Sequence, residues 1–374
     1  MLYARTGVTE PIELPPTPRP RRGLQRAGIP RRHERWFNYG LAGMVAAFAI
    51  GWVFAVASAS EAGGGLITTS ITDNPLSPNA APPAAYLLEA AVRRFADADY
   101  RGASGAVTVL VQEPGDSLAL PDSLPPEAVL EFAPVGGDSA QRTRSAGSGV
   151  WNVLVRMRSG IRAVPDLTLV RLVPLTEKQG GRIGGYVIGD WPYENGMPKS
   201  PQYAPPAGLV RVTPENQDVM LSEHFRLRDF LTKGQQDVWP KYVAMSPRLL
   251  DKLELTIDEL QATGTPVDHV GVISGFRTPS YNAGGGNTAG RGALSRHMYG
   301  DALDWFVDND RDGRMDDLNG DGRIDTGDGR VIVKAAESVE RRYPHLVGGI
   351  GLYEPTGAHS GFVHLDTRGI RARW

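Results

Sequence analysis

The chain has 374 residues, with 40 Lys and Arg against 42 Asp and Glu, a formal charge of −2; as a whole it is not a basic nucleic-acid binder. An apolar share of 41% excludes wholesale disorder, and the length suits two or three domains. The 45 glycines and 29 prolines favour loops over a helical bundle, and the lack of cysteine excludes disulfides, thiolate metal sites and a Cys nucleophile.

Residues 1–36 carry eight Arg (Arg5, Arg19, Arg21, Arg22, Arg26, Arg31, Arg32 and Arg35) against three Glu. No charged residue occurs from Trp36 to Ser60, and LAGMVAAFAIGWVFAVA at its centre is continuously apolar. About 20 apolar residues span a bilayer core as a helix. The spacing predicts a basic cytoplasmic tail over 1–36 and a transmembrane helix over 37–59, oriented by the positive-inside rule. Trp36, Phe37 and Tyr39 stand where an interfacial aromatic belt would lie. A cleaved signal peptide is the competing reading, since Ala55-Val56-Ala57 fits a small-x-small site, although a 36-residue basic region is long for one. Either way the remainder is exported. The expected location is the inner membrane, single-pass, with the C-terminal domains periplasmic or extracellular.

Residues 60–85 are rich in Gly, Ser and Pro and read as a tether. Residues 86–200 form a second segment. It opens with helical spacing from Tyr86 to Tyr100, then changes to period two at Val107, Val109, Val111 and at Trp151, Val153, Val155, Met157. A small antiparallel β domain of sandwich type is expected there, without chemistry of its own. The Pro-rich stretch 198–208 marks a boundary, and a mixed α+β domain follows over 210–374. In it Ser246-Pro247 starts a helix lined by Leu249, Leu250, Leu253, Ile257 and Leu260, and Gly264 stops it. Val270–Ile273 is a strand candidate, Val331–Arg342 a second helix, and 348–353 with 361–366 a hairpin.

The chemistry gathers in the last hundred residues. His297 and Asp304 lie seven apart, and the last strand adds His364, with Asp366 two residues on. Two imidazoles and a carboxylate leave a fourth tetrahedral position for water, the arrangement of a catalytic zinc site. Residues i and i+2 of a strand share a face, which puts Asp366 beside whatever His364 holds.

The segment Ser295-Arg296-His297-Met298-Tyr299-Gly300-Asp301-Ala302-Leu303-Asp304, followed by Phe362-Val363-His364-Leu365-Asp366, resembles the zinc D-alanyl-D-alanine carboxypeptidase and murein endopeptidase family. That family shares its fold with lysostaphin-type enzymes and the hedgehog signalling domain. Ser274-Gly275-Phe276-Arg277-Thr278-Pro279, Leu221-Ser222-Glu223-His224-Phe225 and Leu227-Arg228-Asp229-Phe230 are similar to further motifs of it, so the resemblance covers about 218–374. It implies a hedgehog/D-Ala-D-Ala-metallopeptidase-like catalytic domain with His297, Asp304 and His364 as zinc ligands. It further implies Arg277 as the group that binds a substrate carboxylate or carbonyl, a structural salt bridge being the alternative, and Ser295 as a support beside the ligand loop. Many relatives carry an acidic base three residues before the last zinc His; here that position is Gly361. Asp366 is then the first candidate base, and His359 and Glu354 are the others. The alternative for Asp366 is orienting His364 by a hydrogen bond.

Directly after β-rich Asp304–Val307 comes an insertion, 308–328, patterned as two overlapping EF-hand-type loops. Asp308, Asp310, Asp312, Gly313 and Asp316 fit positions 1, 3, 5, 6 and 9; Asp317, Asn319, Asp321, Gly322, Asp325 and Asp328 repeat the pattern through position 12. The second loop also resembles that of dockerins. Position 12 of the first loop is Asn319, which predicts the weaker site there. Structural Ca2+ beside a catalytic Zn2+ is the expectation. Together these readings describe a membrane-anchored zinc peptidase on peptidoglycan stem peptides, with no nucleic-acid partner. A catalytically silent wall-binding or regulatory module, and a peptidase acting on proteins, are its rivals.

Overall fold

The computed structural model describes residues 107–116, 128–137, 141–157, 160–286, 291–357 and 359–374. The basic tail, the apolar segment 37–59, the tether and the helix expected at 86–100 lie outside the described residues. Among the described residues no helix is long and apolar enough to cross a membrane.

The β-rich segment is one sheet. Its strands are β1 (Thr108–Gln112), β2 (Val129–Pro134), β3 (Gly149–Met157) and β4 (Gly160–Arg171), in the order β1-β4-β3-β2. β2–β3 and β3–β4 pair antiparallel, but β1 and β4 pair parallel, with Thr108 opposite Leu167. The antiparallel sandwich expected from the sequence is therefore replaced by a single mixed sheet. Alternation fixes that a segment is extended and which face is apolar; it does not encode which distant strand pairs with it.

This sheet is buried on both faces. Leu110, Phe132, Val153, Val155, Leu167 and Leu169 form a small core of their own on one side. Val109, Val150 and Val170 join the main core, together with Leu209, Val210 and Val243. Short strands β5 (Val173–Pro174), β6 (Arg182–Ile183), β7 (Tyr186–Val187), β8 (Gly208–Val212) and β9 (Lys241–Val243) continue the chain, with β5-β8-β9 forming a second sheet. The Pro-rich stretch 198–208 thus does not divide two cores: residues 172–191 pack with the C-terminal half. Trp191 Nε1 donates to the carbonyl of Met298 at 2.7 Å, across that proposed boundary.

Helix α1 (Pro247–Ala262) starts and stops where the sequence predicts, and its five apolar positions are buried. After β10 (Val270–Ser274) and the short α2 (Pro279–Gly284) come β11 (Ala302–Val307), α3 (Thr326–Arg342), β12 (Gly349–Tyr353), β13 (Phe362–Asp366) and β14 (Ala372–Arg373). The five strands form a sheet in the order β10-β11-β13-β12-β14. Helix α3 begins five residues before Val331, because Asp325 caps it: its side chain accepts from Gly327 N at 2.5 Å, and Asp328 reciprocates.

One face of this sheet is apolar. Leu303, Trp305, Ile350, Val363 and Leu365 lie in the main core, and α3 packs on β12 and β13. A buried ammonium ties the layers: Lys252 Nζ of α1 donates to Glu340 Oε1 of α3 and to the carbonyl of Asp366 in β13, both at 2.7 Å. Burial pulls the Lys252 ammonium below its ordinary range, against the opposing pull of Glu340. The other face of the sheet is polar at its centre, and the candidate site lies there.

Candidate metal centre

Strand register assembles the site. Ser274 stands opposite Asp304, Asp304 opposite His364, and His364 opposite Gly351, so four strands contribute one straight cross-strand row. Residues two apart on a strand share a face, so Asp366 and Phe362 flank His364 on the same side. His297 arrives from outside the sheet, on a single 3-10 turn (Arg296–Tyr299). Gly300 ends that turn at φ 72°, and a Cβ there would come within 2.3 Å of the Ala244 carbonyl carbon, so the motif's glycine is a steric requirement. Arg277 N donates to the His297 carbonyl at 3.1 Å and fixes the turn against the end of β10.

The three expected ligands meet. Asp304 Oδ1 is 3.2 Å from His297 Nε2 and 2.7 Å from His364 Nδ1, and the imidazole centroids are 5.0 Å apart. All three side chains are buried, and one donor atom of each lies within 4.8 Å of the other two. Zinc bonds of ~2.0–2.1 Å in a tetrahedron set neighbouring donors about 3.3 Å apart, so only small shifts would admit the ion. The second nitrogens are anchored too. His297 Nδ1 donates to the Gly275 carbonyl at 2.7 Å, leaving Nε2 as the free lone pair. His364 Nε2 donates to Asp366 Oδ2 at 3.0 Å, which turns Nδ1 towards Asp304. This donor set, with each imidazole held by its far nitrogen, fits a resident zinc ion.

Without the ion the charges lean on one another. Burial alone would raise the Asp304 carboxyl; the adjoining His297 and His364 imidazoles outweigh it and hold the group well below the usual carboxylate range. Burial lowers His297 and is only partly offset by Asp304. His364 is likewise disfavoured as a cation by burial, but Asp304 and Asp366 on its two sides win and raise it.

Asp366 is held in an arrangement that suits orienting His364 better than accepting a proton. It is fully buried, and both oxygens are spent. Oδ1 accepts from Gly349 N at 2.7 Å and from Arg368 N at 3.1 Å, while Oδ2 accepts from His364 Nε2 and the Arg368 guanidinium. It faces the nitrogen of His364 that points away from the other ligands. The i, i+2 rule put Asp366 beside whatever His364 would hold; the structure puts it on the same face but against the opposite ring edge, Nε2, because strand geometry does not set the rotation of the imidazole. Burial would raise the Asp366 carboxyl, but His364 and then Arg368 outweigh it and hold the group well below the usual carboxylate range. Arg368 was unmarked by the sequence reading, and its place two residues after Asp366 was the available signal.

Arg277 Nη2 pairs with Asp304 Oδ2 at 2.8 Å and Nε donates to Ser274 Oγ at 2.8 Å. Its Nη1 makes no hydrogen bond among the described residues. Arg277 therefore braces the carboxylate of Asp304, a candidate ligand. Ser295 begins the turn that carries His297, its carbonyl accepting from Met298 N at 3.1 Å, and its side chain makes no capping bond. His359 Nδ1 donates to the Ser360 carbonyl at 2.8 Å and its ring packs against Phe362; Glu354 is exposed on the same loop. Neither shares a hydrogen bond or ion pair with the three candidate ligands among the described residues.

The acidic insertion springs from the end of β11. Its two loops have matching backbones: Arg311 and Gly313 (φ 62° and 81°) and Gly320 and Gly322 (73° and 79°) occupy positions 4 and 6. Asp308, Asp310 and Asp316 bring one oxygen each within 4.8 Å of one another. Asp312 Oδ1 accepts from Arg314 N. In the second loop Asp317 accepts from Gly320, Asp321 and Gly322 N, Asn319 and Asp321 bond locally, and Asp325 and Asp328 are engaged in capping α3. The better-gathered set is thus in the first loop, while in the second Asp325 and Asp328 are drawn into the helix cap. The insertion also grips the site's rim: Met315 is buried and its N donates to Ser360 Oγ at 2.7 Å.

Comparison with family models, with curated proteins and with solved structures finds no match for this chain.

Proposed function

We propose that the chain is a membrane-anchored, outward-facing zinc peptidase that hydrolyses peptide bonds in the stem peptides of peptidoglycan. The observation that carries this reading is the meeting of His297, Asp304 and His364, buried, with both imidazoles oriented from behind. Zinc held there would supply Lewis acidity towards the scissile carbonyl and a water acidic enough to ionise near neutral pH. His297 Nε2, His364 Nδ1 and Asp304 would hold the ion, while Gly275 O and Asp366 fix the rings. Arg277, braced on Asp304, offers its free edge to a substrate carbonyl or carboxylate, a task suited to a permanently charged planar fork. With Asp366 spent, the proton acceptor belongs to the loop between β12 and β13, whose titratable groups are His359 and Glu354. The paired acidic loops would take calcium in a structural role, holding the rim through Met315 and Ser360; millimolar affinity suffices outside a cell. The choice of peptidoglycan, and of cross-link endopeptidase over D-Ala carboxypeptidase, is supported by the motif resemblance.

The test is digestion of purified cross-linked muropeptides by the full-length chain in detergent, with and without a zinc chelator, read by mass spectrometry. Chelator-sensitive loss of dimers, or of terminal D-Ala, is expected. Unchanged muropeptides from zinc-loaded, folded protein would contradict the enzyme and favour a wall-binding module.

A further inference from the structure

The cross-strand row does not end at His364. Its next member, Gly351, has no side chain, and the space is filled by Trp374. A Cβ on Gly351 would lie 2.4 Å from the indole, so the glycine is what lets the ring sit there. The indole lies 5.2 Å, centroid to centroid, from the His364 imidazole, with the Arg368 guanidinium 5.5 Å away. It is pinned in place. Trp374 Nε1 donates to Tyr353 Oη at 2.7 Å, and Leu352 N donates to the Trp374 carbonyl at 3.0 Å. Tyr353 is itself stacked on Phe362 at 4.5 Å with the rings 10° from parallel. Yet Trp374 remains 49% exposed and Tyr353 37%.

A large aromatic that is fixed on three sides and open on the fourth, beside a candidate metal ligand, contributes little to the core. It is the composition of a binding wall, where a rigid ring loses little entropy on contact. Consecutive residues of a bound peptide are about 3.8 Å apart at Cα. The indole lies 5.2 Å from the ring of a candidate ligand, a separation of one to two such steps along a peptide whose carbonyl sits at the open metal position.

We propose that Trp374, seated in the slot left by Gly351 and held by Tyr353, is a specificity-determining wall that receives the small apolar side chain flanking the scissile bond, in a peptidoglycan stem the methyl of an alanine. The inference rests on the peptidase reading for its substrate. Trp374 holds the substrate in place and takes no part in proton or electron transfer.

The experiment uses the full-length zinc-loaded chain and three variants, Trp374→Ala, Trp374→Phe and Gly351→Ala, with KM and kcat measured on a cross-linked muropeptide. Losing contact with one methyl and its Cα should raise KM about tenfold in Trp374→Ala, with kcat nearly unchanged. Trp374→Phe should recover most of the loss, and Gly351→Ala, by displacing the ring, should raise KM in the same direction. Zinc content is measured alongside, and calorimetry of the metal-free proteins with the same muropeptide gives a Kd that should weaken in parallel. An unchanged KM and Kd in Trp374→Ala overturns the proposal, as does a loss confined to kcat and zinc content. If the wild-type chain turns over no muropeptide, the peptidase reading fails instead, and the binding arm alone decides whether the indole is a wall.

Discussion

The candidate metal row and the acidic insertion both gather carboxylates, and they do so in opposite ways. Asp304 is buried at the centre of a sheet, its oxygens facing two imidazoles and a guanidinium, each held by a further partner. The carboxylates at 308–328 are mostly exposed and are satisfied chiefly by backbone N–H groups of their own loops. A row built on strand register is positioned by backbone pairing, which needs no ion. A loop whose charges repel one another is shaped only weakly until a cation neutralises them. The first region thus suits a resident catalytic ion, and the second a structural one.

The largest effect expected from breaking this contrast is in the row. His297→Ala removes one ligand and leaves Asp304 with one imidazole. Loss of several kcal/mol of transition-state stabilisation should lower kcat/KM by about a thousandfold or more, read by muropeptide turnover. Asp366→Asn sharpens the assignment of Asp366. An orienting group that is weakened should cost about 10–100-fold in zinc affinity, measured by competition with a chelator, while kcat at saturating zinc is largely kept. A collapse of kcat with zinc still bound would restore Asp366 as the base.

In the insertion, calcium should act on stability alone. Five millimolar calcium against an affinity near 10⁻⁴ M contributes about 2 kcal/mol, or roughly 5 °C in the melting midpoint. No shift in scanning calorimetry would remove the cation from the account. The smallest effect lies outside both regions. The hydrogen bond from His224 Nδ1 to Glu254 Oε2, at 2.7 Å, raises the His224 pKa despite burial. A raised folded-state value stabilises below the unfolded pKa of about 6.5, and that gain fades as pH rises through the folded one. His224→Gln should therefore lower the melting midpoint more at pH 5.5 than at pH 9; an equal drop at both would mean that packing alone is lost.

Much of this was legible in the sequence, and the reasons are local. Helix α1 was readable because Ser246-Pro247, the apolar stripe and Gly264 each act within a turn or two. The β12–β13 hairpin was readable as two short strands close in sequence, and the trio His297, Asp304 and His364, which the structure brings together, was marked by the motif resemblance. What escaped depends on distant partners. The parallel pairing of β1 with β4 joins segments about sixty residues apart, and the core shared across the Pro-rich boundary is built by Trp191 and Val210 from opposite sides of it. For Asp366 the sequence left base and orienting group both open, since only tertiary packing brings Arg368 and Gly349 to its oxygens. Trp374 carried no motif, and its role becomes visible only when Gly351 is seen opposite His364.

X-ray absorption at the zinc edge of the purified full-length chain tests the central claim most directly. The account predicts one tightly held zinc per chain, with two imidazole nitrogens and oxygen donors at about 2.0–2.1 Å. Failure to retain zinc, or a shell of oxygen donors without imidazole, would contradict it.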